Sequence, residues 1–296
     1  MRDDCRWGGW TNFRRGIGFK QMKKHKKSDG IKIYIQNDME GISGIRTKDQ
    51  VSRDSPDYEE GRKLLMMDLN AAIDGAFAGG ATEVVVADCH GGGGQMRIGG
   101  MDPRAVYEMP NGGIRMASLD ETYTGVILLG YHAMAGTVNG FLDHTMSSAE
   151  WFEFKINGQV VGEIGIEATI AAHFNVPVIM VSGDETTGKE ARATLGKNTE
   201  CAVVKWGIGR NKAKCLSLEN AHKIIRETTK KAVETAAANP GYYRVFKPKL
   251  PVTAELTLYR SDMVDGFAFR PGIERVNART IRSRIHSLID IVNWLS

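Results

Sequence analysis

Short apolar segments recur along this chain, and they restrict it to a small set of folds. They are rich in valine, isoleucine and leucine, and they fall at residues 31–35, 84–87, 126–129 and 178–181. Short apolar runs of this kind are typical of strands that are buried on both faces, as in parallel sheets. Between the first two, Ser55 and Pro56 predict a helix start, and apolar residues at helical spacing lead to the pair Gly79 and Gly80. A strand, a helix and a second buried strand predict a βαβ unit.

We therefore predict an α/β fold whose body, residues 31–244, holds a mostly parallel sheet built from βαβ units. Asn157 and Gly158 lie between two strand-like stretches. This pair is a strong signal for a two-residue turn, so we expect a β-hairpin insertion in the body. After Pro251 the pattern changes to one strand and shorter elements. We predict that residues 245–296 form a smaller C-terminal α+β part.

Composition limits the classes of function. The formal net charge is +4, but residues 1–30 contain nine Lys or Arg against three Asp, so the rest of the chain has a net charge of −2. The body is therefore not expected to bind nucleic acid. No apolar stretch reaches the roughly 18 residues of a membrane span, and residues 1–30 lack the apolar region of a secretory signal. We expect residues 1–30 to be a disordered basic extension, with Met22 as an alternative start.

Cysteine usage points to the cellular compartment. The chain has four cysteines, and no two of them have the C-x-x-C spacing of metal or redox motifs. They predict free thiols in a reducing compartment rather than a disulfide framework, since disulfides persist mainly in oxidising compartments. We therefore expect a cytoplasmic protein, with no membrane as its partner.

Carboxylate and imidazole side chains follow the predicted strands. Asp38 and Glu40 come after the first strand. If that strand continues through them, they point to the same face, because side chains alternate along a strand. The other candidates are His90, His132, His144 and Glu163. We expect these six side chains to converge, because ligands of open α/β sheets bind at the carboxyl ends of the strands.

These side-chain types predict a metal centre. Neighbouring carboxylates repel each other unless a cation or a proton lies between them. Mixed imidazole and carboxylate ligands suit Zn²⁺. Three carboxylates and at least two imidazoles exceed the ligand set of one tetrahedral zinc that keeps an open position. A pair of zinc ions, as in some aminopeptidases and phosphatases, uses that number of ligands.

Five motifs carry a resemblance to a known family. In chain order they are Asp38-Met39-Glu40-Gly41-Ile42-Ser43-Gly44, Asp88-Cys89-His90, Leu129-Gly130-Tyr131-His132-Ala133, Asp143-His144-Thr145 and Val161-Gly162-Glu163-Ile164-Gly165. With these motifs the chain resembles, over about residues 31–280, the zinc-dependent D-aminopeptidases, the type first described from a bacterial dipeptide-transport operon. Further matches are Gly183-Asp184 and Val204-Lys205 with Arg210.

The resemblance implies an activity and a set of roles. It implies a zinc-dependent aminopeptidase that hydrolyses the N-terminal residue of short peptides, of the D-Ala type, by water activated at two zinc ions per subunit. His144 would assist as the catalytic residue, and the metal ligands would be Asp38, Glu40, His90, His132 and Glu163. A homo-oligomer, specifically a ring-built decamer, is implied as well. The chain departs from the family in its extra residues 1–30 and in a short, basic tail after Arg279.

Two other functions stay open at this stage. The same ligand types serve dinuclear-metal phosphoesterases, although Lys205 and Arg210 are the only basic residues expected near the site. The second alternative is a non-enzymatic, metal-stabilised assembly or binding protein that works through its basic N-terminal arm. The role of Asp88 is open too, because it either accepts a hydrogen bond from His90 or simply ends its strand.

Overall fold

The computed structural model describes residues 30–108, 115–267 and 269–295, which form two β-sheets and four α-helices. The strands are β1 (Lys32–Asn37), β2 (Glu83–Asp88), β3 (Val106–Glu108), β4 (Gly125–Leu129), β5 (Trp151–Ile156), β6 (Gln159–Val161), β7 (Val178–Asp184), β8 (Glu200–Gly209), β9 (Lys212–Cys215), β10 (Val252–Leu258), β11 (Ile273–Arg275) and β12 (Thr280–Ile285). The helices are α1 (Tyr58–Ala78), α2 (Glu163–His173), α3 (Glu185–Leu195) and α4 (Leu218–Ala238). The predicted extension over residues 1–30 lies outside the described residues, except for Gly30.

The larger sheet has seven strands in the order β3-β2-β1-β4-β7-β8-β9. All neighbouring pairs are parallel except β8 and β9. β1 lies between β2 and β4, so that Ile35 is paired with Val86 on one side and with Ile127 on the other. Helices connect β1 to β2 and β7 to β8, as parallel pairing requires. The predicted α/β fold with a mostly parallel sheet is confirmed.

Both faces of the central strands β1, β2, β4 and β7 are buried. Alternate residues of β1 belong to two separate hydrophobic clusters, with Ile33 and Ile35 in one and Tyr34 in the other. Helices α1 and α4 cover the first face, whereas α2 and the inner side of the smaller sheet cover the second. This two-sided burial explains why the strand sequences lack polar alternation. Within the described ranges, no helix is both long enough and apolar enough to cross a membrane.

The smaller sheet is antiparallel, with the strand order β11-β12-β10-β5-β6. β5 and β6 form the predicted hairpin, and its turn residues Asn157 (φ 51°) and Gly158 (φ 82°) have the positive φ that a tight hairpin turn requires. The hairpin is also part of a wider sheet, because β5 pairs with β10 and places Phe154 opposite Leu256. It thereby connects the predicted body to the predicted C-terminal part, whose boundary at residue 245 stays a prediction.

The end of β1 sets the position of the first two candidate ligands. The strand ends at Asn37, so Asp38 and Glu40 lie in the following turn, and the expected alternation along a strand does not apply to them. The turn packs directly against the end of β4, where the amide of Gly41 donates to the carbonyl of Gly130 at 2.7 Å. A Cβ atom at Gly41 would lie 2.0 Å from a backbone oxygen of that segment, so only glycine fits there.

We expect the contact between α1 and α4 to tolerate no side chain at Gly75. A Cβ atom there would lie 2.4 Å from the carbonyl oxygen of Arg226 in α4, and a backbone atom cannot move away easily. Gly75→Ala should therefore lower the free energy of unfolding by about 1–3 kcal/mol, as overpacking does, although alanine itself favours a helix. Thermal and denaturant unfolding followed by circular dichroism would measure this change.

Gly188 in α3 offers a matched control for that substitution. Its added Cβ would meet the nearest atom, in Cys201, at 3.5 Å, which is an ordinary van der Waals contact. Gly188→Ala should therefore leave stability unchanged or raise it by up to about 1 kcal/mol through helix propensity. Equal losses in the two variants would contradict the packing explanation.

Candidate metal centre

The six candidate side chains lie at the carboxyl-terminal edge of the parallel sheet. They follow β1, β2 and β4 or begin α2, and they are Asp38, Glu40, His90, His132, His144 and Glu163. Glu163 is the first residue of α2, where the helix dipole favours a negative charge. Residues that are far apart in the chain are therefore brought to one place by the parallel strand order.

Asp38 lies at the centre of this group. Its Oδ1 is 3.0 Å from Nδ1 of His90, and its Oδ2 is 3.3 Å from Nε2 of His132. Glu40 Oε2 lies 3.1 Å from the same His90 nitrogen, and Glu163 Oε1 lies 3.3 Å from the same His132 nitrogen. Two groups of possible ligands therefore share one carboxylate, which is an arrangement suited to two adjacent cations.

Each histidine of the group has one ring nitrogen bonded to a backbone carbonyl. The contacts are His90 Nε2 to Val51 (2.9 Å), His132 Nδ1 to Ala133 (3.0 Å) and His144 Nδ1 to Leu142 (2.9 Å). A carbonyl oxygen only accepts hydrogen bonds, so the nitrogen that faces it must carry the hydrogen. The other nitrogen of each ring then faces the carboxylates, which is how proteins commonly orient imidazole toward a metal.

The burial of the group favours a bound cation. Asp38, Glu40 and Glu163 are only 3%, 5% and 5% exposed. Burying ionised carboxylates is costly unless positive charge or hydrogen bonds compensate them. Among the residues that the structure describes, Nε2 of His132 has no hydrogen-bond partner of acceptable geometry, although two carboxylate oxygens lie 3.3 Å away. A buried nitrogen in that position fits a shared metal ion, and the imidazole and carboxylate donors suit Zn²⁺.

Protons and metal ions compete for these groups. Burial raises the pKa of Asp38, but the close contacts and positive charges of His132 and His90 hold that pKa well below its usual value. Burial likewise raises the pKa of Glu163, yet the contact with His132 lowers it to about 2. For the two imidazoles burial lowers the pKa, but the surrounding carboxylates raise it well above the usual value. Metal binding must therefore displace protons from His90 and His132.

His144 stands beside the two ligand groups. Its ring is nearly parallel to that of His132, with the centroids 3.9 Å apart and an angle of 12° between the planes. Its Nε2 lies 3.7 Å from Glu163 Oε1. His144, His132 and Glu163 are close enough to one another to hold a metal ion. The geometry therefore suits His144 both as a proton donor and as a ligand, and its catalytic role stays a prediction.

Asp184, which caps α3, and Glu190 of α3 support the loop that follows β4. Asp184 caps the helix by accepting from the amide of Thr187 (2.7 Å), and it also accepts from the amide of Phe141 (2.8 Å). Glu190 accepts from the amide of Met134 at 2.7 Å, and burial raises its pKa to about 7. Asp184 belongs to a motif that the sequence singles out. Glu190 gives no such signal, because a glutamate in a helix is usually exposed to solvent.

Three residues whose roles the sequence left open have other partners in the structure. Asp88 accepts hydrogen bonds from the amides of residues 95 and 96, so it supports the glycine-rich loop rather than a histidine ring. Lys205 is fully buried beneath the turn after β1. Arg210 donates to the backbone carbonyl of Asp143. Neither of these two residues faces the cluster as an unpaired cation, so they do not supply the phosphate-binding charge that a phosphoesterase would need.

The chain is similar to known proteins over most of its length. Residues 31–296 match the Peptidase M55 family, which is described as D-aminopeptidase. A D-aminopeptidase of Bacillus subtilis (strain 168) is 36% identical over 208 residues, which are 69% of this chain and 74% of that protein. The fold is similar to that of the Zn-dependent D-aminopeptidase DppA from Bacillus subtilis, a self-compartmentalizing protease. The TM-score is 0.83 at 29% identity, covering 90% of this chain and 95% of that one.

The proton balance predicts how pH affects the stability of protein kept metal-free with a chelator. Because the pKa values of His90 and His132 are raised, their stabilising contribution is complete below the usual imidazole value of 6.5 and is lost as pH rises through the raised values. Because the pKa of Glu163 is lowered from 4.5 to about 2, its contribution is present above 4.5 and is lost as pH falls toward 2. We expect the melting temperature in calorimetry to be highest between pH 4.5 and 6.5.

Two histidine variants test the origin of this pH dependence. His132→Gln should flatten the loss of stability above pH 6.5, because it removes one of the two raised imidazoles. His286→Gln is the control, since His286 is exposed and follows β12, away from the cluster in the chain. If both variants keep the wild-type slope, the cluster is not the source of the pH dependence.

Proposed function

Because the chain belongs to the Peptidase M55 family of D-aminopeptidases, we propose that it removes an N-terminal D-residue of the D-Ala type from short peptides with the help of two zinc ions. Family membership shows that the protein is a metallo-aminopeptidase. The number of metal ions and the preferred peptide are what we propose. One observation carries the proposal. Asp38 directs its two carboxylate oxygens toward two imidazoles, at 3.0 and 3.3 Å, and so supports two adjoining metal positions.

The donor set and the comparison with DppA support zinc. DppA of Bacillus subtilis is described as Zn-dependent, and we extend that property to this chain. One ion would be held by Asp38, Glu40 and His90, and the other by Asp38, His132 and Glu163. When bound, such a pair polarises a carbonyl oxygen and lowers the pKa of water to about 7.

His144 is proposed to move a proton in the reaction. Its Nδ1 donates to the carbonyl of Leu142, so Nε2 is the atom that takes up or releases a proton beside the cluster. The side chain is 14% exposed and therefore accessible to a substrate, while stacking against His132 keeps its ring in place. From that position Nε2 can protonate the leaving amine, as a general acid does.

We also propose how the protein assembles and where it is located. DppA is described as self-compartmentalizing, and we extend a homo-oligomer, specifically a decamer, to this chain. The smaller sheet offers apolar side chains for a subunit contact, since Phe152, Val160 and Tyr259 are 42%, 38% and 40% exposed. Three cysteines in the described part of the chain are free thiols, which supports a cytoplasmic location.

The first test is hydrolysis of short peptides that carry a free N-terminal D-Ala or L-Ala. Activity should be selective for the D-residue, should be abolished by a chelator and should return when zinc is added, because the buried carboxylates and imidazoles are the proposed zinc ligands. Release of the free amine measures the rate. Protein that holds two zinc ions yet cleaves neither peptide would contradict the proposed activity, and an equal rate on both peptides would contradict the D-selectivity.

Replacing His144 should separate chemistry from metal binding. His144→Ala is expected to lower kcat by about 10²–10³-fold, the usual effect of losing one group that acts in the transition state, while both zinc ions remain bound. Elemental analysis of purified protein measures the zinc. Asp38→Ala is the matched variant and should lose zinc, since Asp38 serves both positions. Loss of zinc from His144→Ala would identify His144 as a ligand rather than the proton donor.

A further inference from the structure

One buried lysine holds the turn that carries Glu40. We define the ligand turn as residues 40–45, which follow Asp38. Lys205 of β8 is 0% exposed, and its Nζ donates to the carbonyl oxygens of Glu40 (3.0 Å), Ile42 (2.6 Å) and Ile45 (2.9 Å). An ammonium group has three hydrogens to donate, so the ligand turn uses all of them.

The charge on this lysine is expensive to bury. Burial lowers the pKa of Lys205 to about 8. The three hydrogen bonds of its Nζ go to backbone carbonyls, which carry no full negative charge. The ring of Phe141 lies 4.8 Å from Nζ. An uncharged side chain of similar length would fill the same space without the cost of removing an ammonium from water. The charges of Asp68, Asp184 and Glu40 offset part of this cost. The hydrogen bonds of the ammonium itself go to the ligand turn.

The lysine reaches the turn from a distant strand. In the sheet, β4 and β7 lie between β1 and β8. The carbonyl of Glu40 is bound by Lys205, whereas its carboxylate lies 3.1 Å from His90. A second anchor comes from α1, where Asp68 accepts from the amide of Ser43 at 2.8 Å. With three carbonyls and one amide bound, the backbone of the ligand turn has little freedom, and this backbone directs the Glu40 carboxylate.

We propose that Lys205 is a positioning residue of the metal centre, which places the Glu40 carboxylate beside His90 by binding three carbonyls of the ligand turn. The inference rests on the proposed function, because it takes Glu40 and His90 as ligands of one zinc ion. It adds a residue that touches neither zinc nor substrate. Its consequence is local, since loss of the ammonium should weaken the zinc position of Glu40 and His90 more than the position of His132 and Glu163.

Zinc binding to Lys205→Met tests this inference, because methionine keeps the side-chain length and removes the ammonium. Full-length wild-type and variant proteins are equilibrated with zinc at buffered free concentrations, and bound zinc is measured by elemental analysis. We expect one of the two zinc ions to bind about 10- to 100-fold more weakly, as when the support of a metal ligand is lost, while the other keeps its affinity. Circular dichroism reports whether the variant is folded.

Leu256→Ala is the control for a general loss of stability. Leu256 is buried in β10 of the smaller sheet, so this variant should melt at a lower temperature yet keep both zinc affinities. If Lys205→Met does not fold, Lys205→Gln replaces it, because glutamine keeps two N–H donors without the charge. We expect Lys205→Gln, like Lys205→Met, to bind one of the two zinc ions more weakly.

The outcomes separate the inference from the proposed function. Unchanged affinity at both positions in a folded Lys205 variant would overturn the inference, and so would an equal loss at both positions. Wild-type protein that binds fewer than two zinc ions would instead overturn the proposed dinuclear centre from which the inference starts.

Discussion

The fold is organised around three negative charges that must be held close together. Asp38, Glu40 and Glu163 are almost excluded from water, and like charges at such short range repel unless positive charge lies between them. The larger sheet leaves them little room to separate, because its central strands are buried on both faces. Imidazoles, protons and metal ions are the groups that can compensate the charges. Backbone carbonyls orient all three histidines, so the surrounding backbone also helps to compensate the buried negative charges.

A second layer of charged groups supports the loops rather than the metal. Lys205 binds the carbonyls of the turn after β1, whereas Glu190 and Asp184 bind amides of the loop after β4. Loops at a sheet edge have backbone groups that no neighbouring strand can bind, and buried groups of this kind need a partner. Here the partners are long or acidic side chains from β8, from the end of β7 and from the middle of α3. The cluster is thus built on loops that are anchored almost as firmly as strands.

Local patterns in the sequence predict the parallel sheet and the clustering of ligands at its edge, because apolar runs and the residues that follow them are local features. The sequence does not predict that β1 ends before Asp38, since that end depends on the contact of Gly41 with the distant end of β4. It also does not show that the hairpin joins the C-terminal strands, because pairing between remote segments leaves no local mark. Val51 acts through its backbone carbonyl, so its side chain carries no signal, and Glu190 resembles any exposed helical glutamate.

The order of the proposed ligands and Lys205 along the chain has a consequence for the growing protein. All five proposed ligands lie between residues 38 and 163, whereas Lys205 follows them in β8. A growing chain therefore presents every ligand before the lysine that orders the ligand turn has left the ribosome. In the proposed scheme, a metal ion that binds before β8 has joined the sheet would meet ligands that are not yet held in place. Tight binding would require β8. In that scheme, tight metal binding depends on a segment of the chain that is made after all of the ligands.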